Sequence, residues 1–63
     1  MITIVDQGSL VLVRPSLDIQ TPFWDWVNEN IGEYQSWGNS LVVEPRYVEN
    51  LLFGLESEGF QVA

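Results

Sequence analysis

The sequence predicts an α+β domain in which two helices pack on one face of a small antiparallel sheet. Three observations predict it. Short apolar, β-branched segments occur in pairs separated by turn residues, and each pair is followed by a segment with helical periodicity. The chain has only 63 residues, near the lower limit for a self-sufficient core, so we expect residues 1–63 to form a single domain.

The first two elements form a predicted hairpin. Residues 2–5 alternate in polarity and are β-branched, residues 6–9 have the composition of a turn, and residues 10–14 are apolar and end at Arg14. Residues 15–20 form a loop. Within it, Leu17 and Ile19 are expected to fold back onto the core.

The first helix is predicted from Thr21 to about Ile31. Thr21 offers a capping hydroxyl, Pro22 suits the first helical position, and Gly32 suits the left-handed residue beyond the end. Three- and four-residue spacing defines one apolar face. Its members are Phe23, Trp24, Val27 and Ile31, and Asp25, Asn28 and Glu29 lie opposite.

The second half repeats this order. Residues 34–37 and 40–44 read as strands around a Gly38–Asn39 turn, and Pro45 opens a second helix that Gly59 closes. The predicted buried stripe of this helix comprises Val48, Leu51, Leu52 and Leu55. Residues 60–63 either add a short C-terminal strand or pack down onto the core.

The predicted order ββαββα indicates a twofold ββα repeat. Residues 8–15 and 38–45 share a local pattern, in which a glycine turn leads into an apolar strand that ends in a charged residue and a proline. Two interpretations remain open, an internal repeat and a chance similarity in a short chain. Both place the helices over one face of the sheet.

The charge balance is the unusual feature of the composition. Nine acidic residues face two arginines, with no lysine or histidine, for a net charge of −7. Charged residues make up 17% of the chain, against about 25% in an average domain, so the chain is depleted in bases rather than enriched in acids. Its negative field repels nucleic acid and anionic lipid and attracts basic protein surfaces.

The composition argues against catalysis. Without His, Cys or Lys the chain lacks the common general base, thiolate, Schiff-base amine and transition-metal ligands, and no glycine-rich phosphate loop is present. Asp25 and Glu29 share a helix face, but a solvated surface explains them better than an ion site. We therefore expect a non-enzyme without metal or cofactor.

The sequence also bears on location. The longest apolar run covers residues 10–13, far short of a membrane span, and no secretory signal is recognisable. A cytoplasmic protein without a membrane partner is expected.

The candidate partner-binding residues are acids on the outer faces of the two helices and one aromatic residue among them. They are Asp25, Glu29, Glu33, Glu49, Phe53, Glu56 and Glu58. Solubility alone explains any one acid, but solubility does not require the loss of almost every base. Phe53 falls off the apolar stripe of the second helix, on the side of Glu49 and Glu56, and is either an exposed docking residue or covered by the preceding loop.

In length, acidity, lack of lysine and lack of catalytic residues, the chain resembles the small acidic inhibitors of phages and other mobile elements, notably DNA-mimicking anti-CRISPR proteins. The resemblance is one of class, without a shared motif. It implies a cytoplasmic inhibitor in the host cell that occupies the DNA-binding groove of a basic nucleic-acid-binding protein or complex, such as a CRISPR effector. Its carboxylates would take the place of DNA phosphates.

The alternative is a protein-interaction module, such as an accessory subunit or a homodimer. It would use an apolar patch around Phe53, Trp26 or an exposed strand edge. Trp26 and Trp37 border predicted apolar faces and turns, and in so small a protein large aromatic residues usually belong to the core. We expect a monomer or a weak homodimer.

Overall fold

In the computed structural model, which describes all 63 residues, the chain has the predicted ββαββα order. The strands are β1 (Ile2–Asp6), β2 (Val11–Pro15), β3 (Gln35–Trp37) and β4 (Ser40–Val43). The helices are α1 (Gln20–Asn30) and α2 (Pro45–Ser57), and a 3-10 helix, Leu17–Ile19, precedes α1. Each strand boundary lies within one residue of the predicted position.

The four strands form one antiparallel sheet in the order β1-β2-β4-β3. Residues directly opposite each other in the register share a face, so Ile2, Val13 and Leu41 project to the same side. All three are fully buried together with helix residues Phe23, Val27 and Leu55. The prediction that both helices cover one face is therefore confirmed, and the opposite face of the sheet has no covering layer.

The strand register supports an internal repeat. In the first hairpin Val5 pairs with Leu12, and in the second the residues 30 positions further along the chain, Gln35 and Val42, form the corresponding pair. The two central strands pair Leu12 with Val42, which are themselves 30 residues apart. A local twofold axis therefore passes between these two residues, and it relates one β-hairpin to the other.

Helix α1 begins earlier than predicted. Thr21 is not its cap, because the 3-10 helix leads directly into Gln20, and the N-cap residue Ile19 makes no side-chain bond. The Gln20 side chain stabilises this start: its Nε2 donates to the Pro15 carbonyl oxygen over 2.7 Å, and its Oε1 accepts from Trp24 Nε1 over 2.9 Å. Gly32 has the expected left-handed conformation, with φ +82°.

Two residues that flank α1 and were expected in the core lie outside it. Leu17 is 81% exposed, because the 3-10 helix directs it outward, while Ile19 from the same segment packs against the core. Ile31 is 40% exposed, since it caps α1 beyond its last full turn. The apolar face of α1 is therefore shorter than its sequence pattern indicates.

The C-terminal segment combines both predicted alternatives. Val62 forms a single parallel bridge with Ile2 on the outer edge of β1, where the Ile2 N–H donates to the Gln61 carbonyl and the Ala63 N–H donates to the Ile2 carbonyl, both over 2.8 Å. Phe60 packs edge-on against Phe23, with ring centroids 6.2 Å apart. Neither helix of the fold is long and apolar enough to cross a membrane.

Candidate functional site

The first group of predicted acids lies on α1 and just beyond it. Asp25 and Glu29 are exposed and one helical turn apart, so they share the outer face of the helix. Glu33 follows Gly32, the residue after the C-cap Ile31, and is also exposed, but it lies beyond the end of α1 rather than on that outer face.

The second group forms a continuous strip on α2. Glu49 and Glu56 lie four residues before and three residues after Phe53, so all three share the solvent-facing side of the helix. Phe53 is 75% exposed, and the alternative that a loop covers it is wrong. Glu58 is the C-cap residue, where a carboxylate opposes the helix dipole at a cost of about 0.3–1 kcal/mol.

The nine acids divide into two classes by their contacts. Three have partners within the fold. Asp6 Oδ1 accepts from the Gly8 N–H over 2.8 Å, Asp18 Oδ1 accepts from Ser16 Oγ over 2.5 Å, and Glu44 pairs with Arg46 Nε at 3.1 Å. The hydrogen bond from Ser16 holds the pKa of Asp18 below its usual value, with help from a backbone N–H.

The six remaining acids form no ion pair and no side-chain hydrogen bond within the chain. They are the six predicted acids, Asp25, Glu29, Glu33, Glu49, Glu56 and Glu58.

Neither arginine neutralises these six acids. Arg46 lies one turn before Glu49 on α2, but its guanidinium pairs with Glu44 and stacks over the Tyr47 ring, 4.9 Å from the centroid. Arg14 projects from the sheet face opposite the helices, where its Nε is 3.5 Å from Ser40 Oγ. The helix side of the molecule therefore carries carboxylates without compensating positive charge.

Sequence reasoning missed a groove of about 630 Å³ at the end of the sheet where α1 finishes and α2 starts. Apolar and aromatic side chains form most of its wall, and Glu33 and Glu44 lie on it too. The apolar residues along it include Trp26, Ile31, Tyr34, Val43, Tyr47 and Leu51. Its volume falls within the range common for ligand pockets, and no base lines it.

Trp26 lies partly inside the interface between the helices rather than on an exposed patch. A Cβ on Gly54 of α2 would come within 3.0 Å of Trp26 Cζ2, so the indole lies directly against the bare backbone of that glycine. Part of the same side chain reaches the groove. Of the three sites suggested for an apolar interface, Trp26 is therefore the least available, and Phe53 and the strand edge remain.

The uncovered face of the sheet carries no acid. Its residues are Thr3, Val5, Leu12, Arg14, Gln35, Trp37, Ser40 and Val42. Trp37 is 69% exposed, so the expectation that it belongs to the core is wrong. It lies on the edge strand β3 and points to the face that no helix covers.

No three carboxylates lie close enough together to form a metal-ion site. Comparison of the chain with protein-family models, with curated proteins and with solved structures finds no match. The fold and surface define a small α+β domain of two ββα units with an acidic helix layer.

Proposed function

We propose that this chain is a non-catalytic acidic binding protein that inhibits a nucleic-acid-binding complex. Its helix layer presents carboxylates to the basic surface where that complex holds DNA, in the manner of DNA-mimicking anti-CRISPR proteins. The partner is thus a basic protein or protein complex, and the chain does not itself bind nucleic acid.

One observation carries the proposal. Three of the nine acids have a partner within the fold, in a turn or in an ion pair with an arginine. The six acids without a partner all lie on the two helices or at their ends. The fold gains nothing from these six. Like charges four residues apart on a helix, as with Asp25 and Glu29, weaken it by a few tenths of a kcal/mol.

Their arrangement suits a surface that normally binds DNA. At about 1.5 Å rise per residue, Asp25 and Glu29 are about 6 Å apart along α1, and Glu49 and Glu56 are about 10.5 Å apart along α2. Duplex DNA carries one phosphate charge per about 1.7 Å of its axis, and DNA-binding surfaces neutralise these charges with Lys and Arg. This neutralisation releases the counterions that are condensed on the DNA. Rigid carboxylates on a helix layer compete for the same side chains.

The test is capture of the partner from a host lysate at low salt, followed by elution with excess duplex DNA. We expect DNA to displace the captured complex, and we expect retention to fall steeply between about 50 and 200 mM salt because exposed charges are screened. Retention of a partner at high salt and in the presence of DNA would contradict the proposal.

Two variants of equal net charge show whether the position of the charge matters. Replacing Glu49 and Glu56 by Gln raises the net charge by two and removes the acids that flank Phe53. Replacing Thr3 and Gln7 by Lys also raises it by two, at exposed positions away from the helix layer. We expect only the first variant to lose the partner. Equal losses would mean that overall charge, not a mimicking surface, determines binding.

The exposure of Phe53 favours a second function, an interaction module that docks through an apolar contact. An aromatic side chain that is 75% exposed on a helix is a typical interface anchor. Binding through this contact would change little with ionic strength. Phe53→Ala would then abolish binding, whereas the paired Glu→Gln variant would preserve it.

A further inference from the structure

We propose that the groove and the outer edge of β3 bind an extended, basic segment of the target, which adds a strand to the sheet and places an apolar side chain in the groove. The expectation of a basic partner rests on the proposed function. The binding mode itself is argued from the internal repeat and from the open edge.

The two halves of the repeat differ at the residue after each helix. Both helices end at a left-handed glycine, Gly32 with φ +82° and Gly59 with φ +97°. The next residue is Glu33 in the first half and Phe60 in the second. Phe60 packs on Phe23 in the early part of α1 and closes the core there. The equivalent space in the other half lies beside the early part of α2. Glu33 lines this space but does not fill it, and the space is the groove.

The same asymmetry applies to the edges of the sheet. The C-terminal segment covers the outer edge of β1 through the N–H and carbonyl of Ile2. On an edge strand of an antiparallel sheet, every second residue directs its N–H and its carbonyl away from the neighbouring strand. Asp6 lies four residues after Ile2, so its N–H and carbonyl also point away from β2. Its repeat equivalent on β3 is Ser36, since Asp6 pairs with Val11 and Ser36 with Leu41. The Ser36 N–H and carbonyl therefore point away from β4, where no chain segment pairs with them.

The edge of β3 is protected only by its short length of three residues. All three of its residues are exposed, and none is a proline, a lysine or another charged residue. Tyr34, which precedes β3, and Gln35, its first residue, both line the groove. A strand that pairs with β3 would therefore run past the groove, and alternate side chains could enter it, as in known β-strand addition.

Charge selects the occupant. Glu33 lines the groove without a partner in the chain, whereas Glu44, also on its wall, is already paired with Arg46. A segment with arginine or lysine beside its apolar residue is therefore complementary to Glu33. A second copy of this chain is not, because it would bring its own net charge of −7 and its own Glu33 to the contact. The groove and the edge of β3 therefore suit a basic extended segment of the target.

The test uses a nine-residue synthetic peptide that alternates arginine with phenylalanine, titrated into the isotope-labelled protein and followed by amide NMR shifts. Three variants probe the site. Ser36→Pro removes the outward donor without touching the ladder to β4, and Ser36→Ala is its matched control. Glu33→Phe fills the groove from within, as Phe60 does in the other half. The folded state of each is checked from its own spectrum.

We expect shifts at 34–37 and along the groove, with affinity reduced at least tenfold by Ser36→Pro and by Glu33→Phe and unchanged by Ser36→Ala. A peptide with alternate backbone amides methylated should bind at least tenfold more weakly. Absence of binding at millimolar peptide, or shifts confined to the outer helix acids and unaffected by Ser36→Pro, would overturn the inference. The proposed function fails separately, if DNA does not displace the captured target.

Discussion

The contact between Gly54 and Trp26 is the most sharply defined packing constraint in this fold, and it predicts the sign of a substitution. Gly54 lies inside α2, where alanine normally stabilises a helix by about 1 kcal/mol relative to glycine. Here a Cβ would lie 3.0 Å from Trp26 Cζ2 and 3.3 Å from Cη2. Carbon atoms prefer separations of about 3.5–4.0 Å, so the indole has to move by a few tenths of an ångström.

The cost of this overlap outweighs the gain in helix propensity. Overpacking a well-packed contact costs about 1–3 kcal/mol, and Trp26 is half-buried with part of its ring on the groove, so it is free to yield partly. We expect Gly54→Ala to lower the free energy of unfolding by about 1 kcal/mol after the gain is subtracted. For a domain of this size that lowers the Tm by about 4–8 °C.

A double-mutant cycle with Trp26→Leu isolates the contact, because leucine lacks the two ring atoms that the new methyl group would meet. In that background Gly54→Ala should stabilise the domain by about 0.5–1 kcal/mol, with the sign reversed. Urea denaturation followed by circular dichroism measures all four proteins. If Gly54→Ala has the same effect in both backgrounds, the indole does not restrict position 54 and the reasoning is refuted.

Four further predictions follow from the structure. Leu17→Ser should change stability by no more than about 0.5 kcal/mol, whereas Leu55→Ala should cost about 2–5 kcal/mol; equal effects in urea denaturation would show that the 3-10 helix is packed. Ser16→Ala should raise the pKa of Asp18 toward its usual value in an NMR titration. Because the folded-state pKa of Asp18 lies below its unfolded value, the bond stabilises the fold above the unfolded pKa and loses this effect as the pH falls through the folded pKa. The variant should therefore be less stable than the parent at neutral pH, and the difference should shrink in strong acid to what the lost bond from the Met1 ammonium to Ser16 Oγ contributes. Glu33→Phe should raise the Tm, since it adds an apolar contact over the groove; a lowered Tm would mean that the groove cannot close from within. Phe53→Ala should leave the Tm within about 2 °C and the amide spectrum unchanged outside α2, because its side chain is mostly in solvent already.

Most of the fold could be predicted because each element has a local signal. Alternating β-branched residues, glycines at the two hairpin turns and at the helix ends, and Pro45 at the start of α2 each reflect a backbone requirement within a few residues. The failures have tertiary causes. The start of α1 depends on the hydrogen bonds of Gln20 to Pro15 and Trp24. Leu17 is exposed although its side chain is apolar.

The acidic half of the candidate site was predictable for a similar reason. Helical periodicity alone assigns Asp25, Glu29, Glu49, Phe53 and Glu56 to outward faces, and the structure places them there. The groove had no such signal, since its walls come from both helices, two strands and the loop after α1. Only the comparison of Glu33 with Phe60, each next to the glycine that follows a helix, offered a hint.

The repeat also separates what the fold needs from what it does not. Two β-hairpins related by a twofold axis place similar backbone demands on equivalent positions, so a difference between equivalents points to something other than the shared architecture. Trp37 corresponds to Gln7 at the start of each hairpin turn, and both are exposed. A glutamine satisfies the fold at this position, and so the tryptophan is not required for folding. Its exposed ring lies next in the chain to Ser36, whose outward backbone groups the proposed segment would pair with.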